Sequence, residues 1–159
     1  MVILITLFRA NRKLSGNVYD LASSINQTIC RNNESSMFVT LFIGILNVKN
    51  GELVYLNAGH NPPLILRRDG SLTRCSKIHG PPIGVLTGLI YGSATDQVAE
   101  GEALLLYTDG VTEAENKKQE LFSGSRLETF LNSCLLKTPE IITNDLLAEI
   151  HGFSDGAEQ

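Results

Sequence analysis

The chain is predicted to be an α+β protein, because its apolar residues change period twice along its length. Helical spacing comes first, strand-like runs punctuated by glycine and proline fill the middle, and helical spacing returns at the end. Helices and strands segregated in this way argue against an alternating βαβ design.

The opening run, Met1 to Phe8, predicts a buried helix reaching about Leu14, with Ser15 and Gly16 as its stop. It is too short to span a bilayer. Arg9, Arg12 and Lys13 follow the run instead of preceding it, which is the wrong order for a signal peptide. Val18, Leu21, Ala22, Ile25 and Ile29 share one face of a second helix, which Asn32 and Asn33 break. Met37 to Val48, rich in Val, Phe and Ile, reads as a buried strand. Asn50-Gly51 is a hairpin signal, since both residues tolerate positive φ. Glu52 to Ala58 is the return strand, Leu64 to Leu66 a third, and Asp69-Gly70 turns into a short fourth around Leu72. Leu89 to Ala99 and Ala103 to Tyr107 are two more, joined near Glu100-Gly101. The strands form an antiparallel meander interrupted by a long loop, His79 to Gly88.

Toward the C-terminus, Ser123 is placed to cap a helix, with Phe122 and Leu127 as a hydrophobic staple. Thr138-Pro139-Glu140 is a second helix start, combining a cap, a first-turn proline and an acid at the positive dipole end. Ile142, Leu146 and Ile150 form its apolar face, and Gly152 ends it.

At 159 residues the chain fits one domain, residues 1–159, able to bury its own core. Cys30, Cys75 and Cys134 form no CxxC pair, so neither a disulfide framework nor a zinc knuckle is indicated, and a cytoplasmic location is expected. Residues 101–159 carry eleven acidic and four basic side chains. That balance argues against nucleic-acid binding, which needs a basic stripe. It could attract cations or serve as a solvated face.

Three segments could carry chemistry. In Leu104-Leu105-Leu106-Tyr107-Thr108-Asp109-Gly110, an apolar strand delivers an aspartate followed at once by glycine. A carboxylate fixed at a strand end suits a hard cation, and Gly110 would let a metal or its waters approach. An ordinary Asp-Gly turn fits the same residues. In Asn57-Ala58-Gly59-His60-Asn61, small residues permit close backbone approach, and His60 and Asn61 could orient a water or substrate oxygen. A rigid turn with His60 bonded to backbone is the other reading. His79-Gly80-Pro81-Pro82-Ile83-Gly84-Val85 is a stiff loop suited to a site wall, with no chemistry of its own. Dinucleotide, Walker, HExxH and GxSxG signatures are all absent.

The order "GELVYLNAGHNPPLIL", "PPIGV", "LLLYTDGVTEAEN" resembles the catalytic domain of SpoIIE- and RsbU-type PPM protein serine/threonine phosphatases. "MVILITLFRAN", "MFVTLFIGIL" and "LFSGSRLETFL" extend the resemblance over nearly the whole chain. It implies an α/β/β/α sandwich of antiparallel sheets. It implies hydrolysis of phosphoserine or phosphothreonine on a regulatory partner, such as an anti-sigma antagonist, by a water that two Mn²⁺ or Mg²⁺ ions activate. Asp109 matches the metal-ligand aspartate of the Thr-Asp-Gly motif. Gly110 and the hairpin residues Asn57, Gly59, His60 and Asn61 are placed near the site by the same resemblance.

Two family segments are unmatched: a Gly-Asp-x-Ser-Gly stretch before the first helix and an Asp-Asp pair on a last strand. The expectation is a domain truncated at both ends, lacking its first and last metal-ligand segments. Glu113, Glu115, Asp155 and Glu158 are candidates to help Asp109, or plain surface charge. A missing last strand would expose a sheet edge, through which the chain could pair with a second copy. Three readings stay open: a phosphatase domain that is truncated here or takes its lost segments from a neighbouring protein, a catalytically incompetent phosphatase-like module that binds a regulatory partner, and a metal-independent structural domain.

Overall fold

A computed structural model describes Phe8, residues 17–31, Asn33 and residues 37–155. The first expected helix, Phe8 apart, lies outside the described residues, as does Glu158. The elements in order are α1 (Val18–Arg31), β1 (Leu41–Leu46), β2 (Glu52–Ala58), β3 (Leu64–Leu66), β4 (Leu72–Arg74), β5 (Ala94–Gln97), β6 (Ala103–Leu105), α2 (Asp109–Thr112), α3 (Ser123–Asn132) and α4 (Pro139–Ser154). The α+β class holds, with every strand pair antiparallel. The chain divides into two compact units, residues 1–60 with 76–97 and residues 61–75 with 98–159.

The first unit holds a three-stranded sheet in the order β1-β2-β5. Asn17 starts α1: its Oδ1 accepts from the Asp20 N–H at 2.8 Å, the bond an N-cap residue makes. The helix then buries Val18, Leu21, Ala22 and Ile25, as their spacing predicts. They form one core with Ile43, Leu56, Ala58, Ile83 and Tyr91, against which helical Phe8 also packs.

The Met37–Val48 run corrects an expectation. The strand within it is shorter, and Met37, Phe38, Ile45, Leu46 and Val48 are exposed instead of buried. Among the described residues β1 has a neighbour on one side only, so its apolar composition does not guarantee cover. In the hairpin that follows, only Gly51 has positive φ (75°); Asn50 does not, because the turn is built on Asn47, whose carbonyl accepts from Asn50 and Gly51. The Leu89–Ala99 strand shrinks to β5, since Tyr91 is taken into the core and the Gly92 N–H goes to the His79 carbonyl.

The second unit holds a sheet in the order β4-β3-β6. The expected single meander is therefore split between two sheets. Positive φ at Gly59 (77°) and the Pro62-Pro63 pair end β2's run, and β3 takes β4 and β6 as neighbours instead. Leu64, Leu66, Tyr107, Phe122, Leu127, Leu131, Ile142 and Leu146 are buried together in this unit's core. Arg67 Nη1 meets Glu102 Oε2 at 2.8 Å, joining the end of β3 to the start of β6.

Two helix termini differ from expectation. Ser123 is not a capping residue: its φ is 70°, and its Oγ lies 2.9 Å from that of Ser125. Phe122 and Leu127 are nonetheless both fully buried. Helix α4 begins as read, with Thr138 Oγ1 accepting from the Ile141 N–H. It runs through Gly152, because Phe153 packs edge-on against Phe122 and beneath Arg126 and so holds another turn in place.

Candidate functional site

The Asn57–His60 turn closes β2 in the first unit. Asn57 is completely buried, and both polar atoms of its side chain are hydrogen-bonded. Its Oδ1 accepts from the His60 N–H at 2.8 Å and its Nδ2 donates to the His60 carbonyl at 2.9 Å. Its main-chain N–H donates to His79 Nδ1 at 3.0 Å, and its carbonyl accepts from the His79 N–H at 2.8 Å. Gly59 cannot be replaced without strain. Its φ is 77°, and a Cβ there would stand 2.9 Å from Pro82 Cγ. His60 is half-buried, and its main chain is what Asn57 grips. Asn61 follows as the first residue of the second unit, half-buried.

The loop after His79 is built with the same care. The Tyr91 hydroxyl donates to the Pro81 carbonyl at 3.0 Å, and burial pushes its pKa up to about 12. Buried Asn26 on α1 accepts from the Gly84 N–H and donates to the Leu86 carbonyl, both at 2.8 Å. Gly84 has φ of 95°, and a Cβ there would come 2.7 Å from the Met37 carbonyl. Sequence reasoning missed Asn26 and His79. Their partners are distant in sequence, and the one local hint was the Gly-Pro-Pro stiffness after His79.

Asp109 and Gly110 lie in the second unit. The strand leading to them ends at Leu105, not Tyr107. Tyr107 turns into the core, and Asp109 opens the short helix α2 instead of ending a strand. The Asp109 carboxylate is exposed, and its Oδ1 accepts from the Gly110 N–H at 2.9 Å. Its carbonyl accepts from the Glu113 N–H at 2.7 Å and from Thr112 Oγ1 at 3.2 Å. Among the described residues Asp109 joins no ion pair. A Cβ at Gly110 would meet its nearest neighbour, Thr108 Oγ1, at 3.5 Å, an ordinary contact. Glu113, Glu115 and Asp155 are exposed.

A hard divalent cation takes six or more oxygen ligands, and a dinuclear centre needs several carboxylates to offset its charge. Asp109 is sterically open to act as one such ligand. Among the described residues, however, no group of three His, Cys, Asp or Glu side chains comes together. The described residues therefore do not make up a dinuclear centre.

The fold is that of a PP2C phosphatase domain. The SiaA-PP2C domain of Pseudomonas aeruginosa matches 99% of the chain with a TM-score of 0.81 at 14% identity, the match covering 63% of that structure. At the level of sequence, the model of the family described as stage II sporulation protein E (SpoIIE) matches residues 1–159, and the chain belongs to that family. Phosphatases of this group are metal-dependent. Protein IcfG of Synechocystis sp. is 38% identical over 122 residues, which is 75% of this chain and 19% of that protein. Phosphoserine phosphatase RsbU of Bacillus subtilis is 24% identical over 94 residues, which is 59% of this chain and 28% of that protein. The chain thus spans less than a third of the length of these curated relatives.

Proposed function

We propose that this chain acts in a metal-dependent protein serine/threonine phosphatase that hydrolyses phosphoserine or phosphothreonine on a regulatory partner protein. The observation that carries the reading is Asp109: in a chain of the SpoIIE family, its carboxylate stands exposed at a defined backbone position and, among the described residues, is bonded only within its own turn. In this reading Asp109 gives one carboxylate to Mn²⁺ or Mg²⁺ and Gly110 leaves room beside it, while Asn57, Gly59, His60 and Asn61 are proposed as site residues on the family resemblance alone. RsbU of Bacillus subtilis, to which the chain is similar, is a phosphoserine phosphatase, and this supports the substrate class. An anti-sigma antagonist is the kind of partner proposed.

Residues 1–159 are taken as one SpoIIE-type domain, since a single family model runs through both compact units. Three free thiols suit a cytoplasmic setting, and no described helix is long and apolar enough to cross a membrane. Self-association through a strand edge belongs to the same proposal. It is supported by β1, which has one strand neighbour among the described residues, and light scattering across concentration tests it.

The direct test is turnover of a phosphoserine peptide and an aryl phosphate, with Mn²⁺ or with EDTA, beside Asp109→Asn. Turnover that needs the metal and is lost in the variant is the expected result. Full turnover in Asp109→Asn refutes the assignment. Tight partner binding without turnover in either protein moves the chain to the non-catalytic binding module.

A further inference from the structure

On one side of β2, the partner strand β5 stops at Ala94, opposite Tyr55. Main-chain polar groups on one edge of a strand recur every second residue, so Asn57 is the next to need partners there. His79 supplies both. Its N–H donates to the Asn57 carbonyl at 2.8 Å, as a strand neighbour would. Its ring Nδ1, in place of a carbonyl, accepts from the Asn57 N–H at 3.0 Å. The His79 carbonyl accepts in turn from the Gly92 N–H at 3.3 Å. One residue therefore continues the sheet with an imidazole where a backbone oxygen would serve.

An oxygen in that place could not titrate; an imidazole can. To accept from Asn57, Nδ1 must hold a lone pair, so the neutral ring carries its proton on Nε2. That Nε2 is buried and has no hydrogen-bond partner among the described residues. A second proton could go only onto Nδ1, where it would confront the Asn57 N–H donor to donor.

We propose that His79 is a positioning residue, a proton-sensitive lock that holds the Asn57–His60 turn only while its imidazole is neutral. Among the described residues, no charge that shifts the His79 ring favours its cation. Tyr55 of β2 meets it edge-on, with ring centroids 5.4 Å apart. Tyr91, from the segment that also gives Gly92, has its hydroxyl donating to Pro81. Lys77, on His79's own segment, is positive. Burial, and then the Lys77 charge, hold the His79 pKa below the usual imidazole value. A histidine depressed in the folded state contributes stability that is fully present above its unfolded pKa of about 6.5 and lost as pH falls toward the folded value. The other imidazole on the turn, His60, is gripped through its main chain, so the two can be told apart.

Any effect of the lock on turnover rests on the phosphatase reading, but the lock itself does not. The test is nitrogen NMR on the isotope-labelled chain from about pH 7.5 to about pH 5, the range in which histidine titrates. The expected result is an Nε2–H tautomer for His79 at neutral pH. The protection factor of the Asn57 amide, its intrinsic exchange rate at each pH over the observed one, should fall by about tenfold or more as His79 protonates, reporting local opening. His79→Asn puts a non-titrating oxygen near the Nδ1 position and should keep the Asn57 amide protected across the range. His79→Phe, with no acceptor, should leave it unprotected throughout. An Nδ1–H tautomer, or an Asn57 amide that ignores His79 and follows His60, overturns the proposal. Where aryl phosphate is turned over, the acid limb of the rate should follow the His79 titration and vanish in His79→Asn. A chain with no turnover at any pH counts against the phosphatase reading, while the NMR result decides the lock on its own.

Discussion

The Asn57–His60 turn and the Asp109–Glu113 segment carry the two most recognisable motifs of the chain, and they are built on opposite principles. In the first, every polar group of a fully buried asparagine is satisfied, and the one glycine is dictated by φ and by Pro82. In the second, the aspartate is exposed, among the described residues its carboxylate bonds only to the next amide, and a Cβ at the glycine would make only an ordinary contact with Thr108. A buried polar group without its partners is costly, so the first arrangement must be complete to exist at all. A carboxylate left in solvent contributes little to folding and remains available for a ligand. Motif strength in a sequence therefore does not reveal which motif shapes the fold and which is left open to solvent.

The contrast is broken most sharply at Asn57. Asn57→Ala removes both side-chain bonds to His60 and opens a buried gap, which should cost about 3 kcal/mol of stability. Denaturant unfolding measures it, and a loss no larger than that of a surface substitution would mean that the turn is not held as described. Gly59→Ala comes next, at about 2 kcal/mol, from forced left-handed backbone and the contact with Pro82. His60→Ala should cost less, about 1 kcal/mol, because the bonds to Asn57 run through its main chain. A His60→Ala loss exceeding that of Asn57→Ala would reverse the roles assigned to the two residues.

What the sequence made legible follows the same division between local and distant causes. Helix α1, the return strand β2 and the Thr138 cap were readable because periodicity and capping act within one or two turns. The two-sheet division was not, since β3 chooses β6 over β2 through pairing far along the chain. Exposure of Ile45 and Leu46 was hidden for a related reason: whether an apolar strand is covered depends on neighbours, not on its own residues. Gly152 is a helix stop by local rules, but the turn beyond it is anchored by Phe153, whose partner Phe122 is distant in sequence. At the Asp109 motif the apolar run is legible, but the strand end it predicts is a helix start instead. His79 could not be found from spacing, because its meaning lies in Asn57, 22 residues away.

The smallest effects on stability are expected at the second motif. Asp109→Asn keeps an acceptor for the Gly110 amide in solvent, so its unfolding free energy should stay within about 0.5 kcal/mol of the parent chain. Gly110→Ala should change it least or raise it slightly, by about 0.5 kcal/mol. The added methyl has ordinary contacts, and alanine favours the helical conformation that position 110 already adopts. Such a variant separates two reasons for a glycine. At Gly59 the fold requires it, and thermal unfolding should show the penalty directly. At Gly110 the fold does not, so metal-dependent turnover falling in a stable Gly110→Ala protein would mean that the bare backbone leaves room for an ion, its waters or the phosphoryl group. A Gly110→Ala protein as unstable as Gly59→Ala would instead show that both glycines serve the backbone, and the contrast between the two motifs would fail at that position.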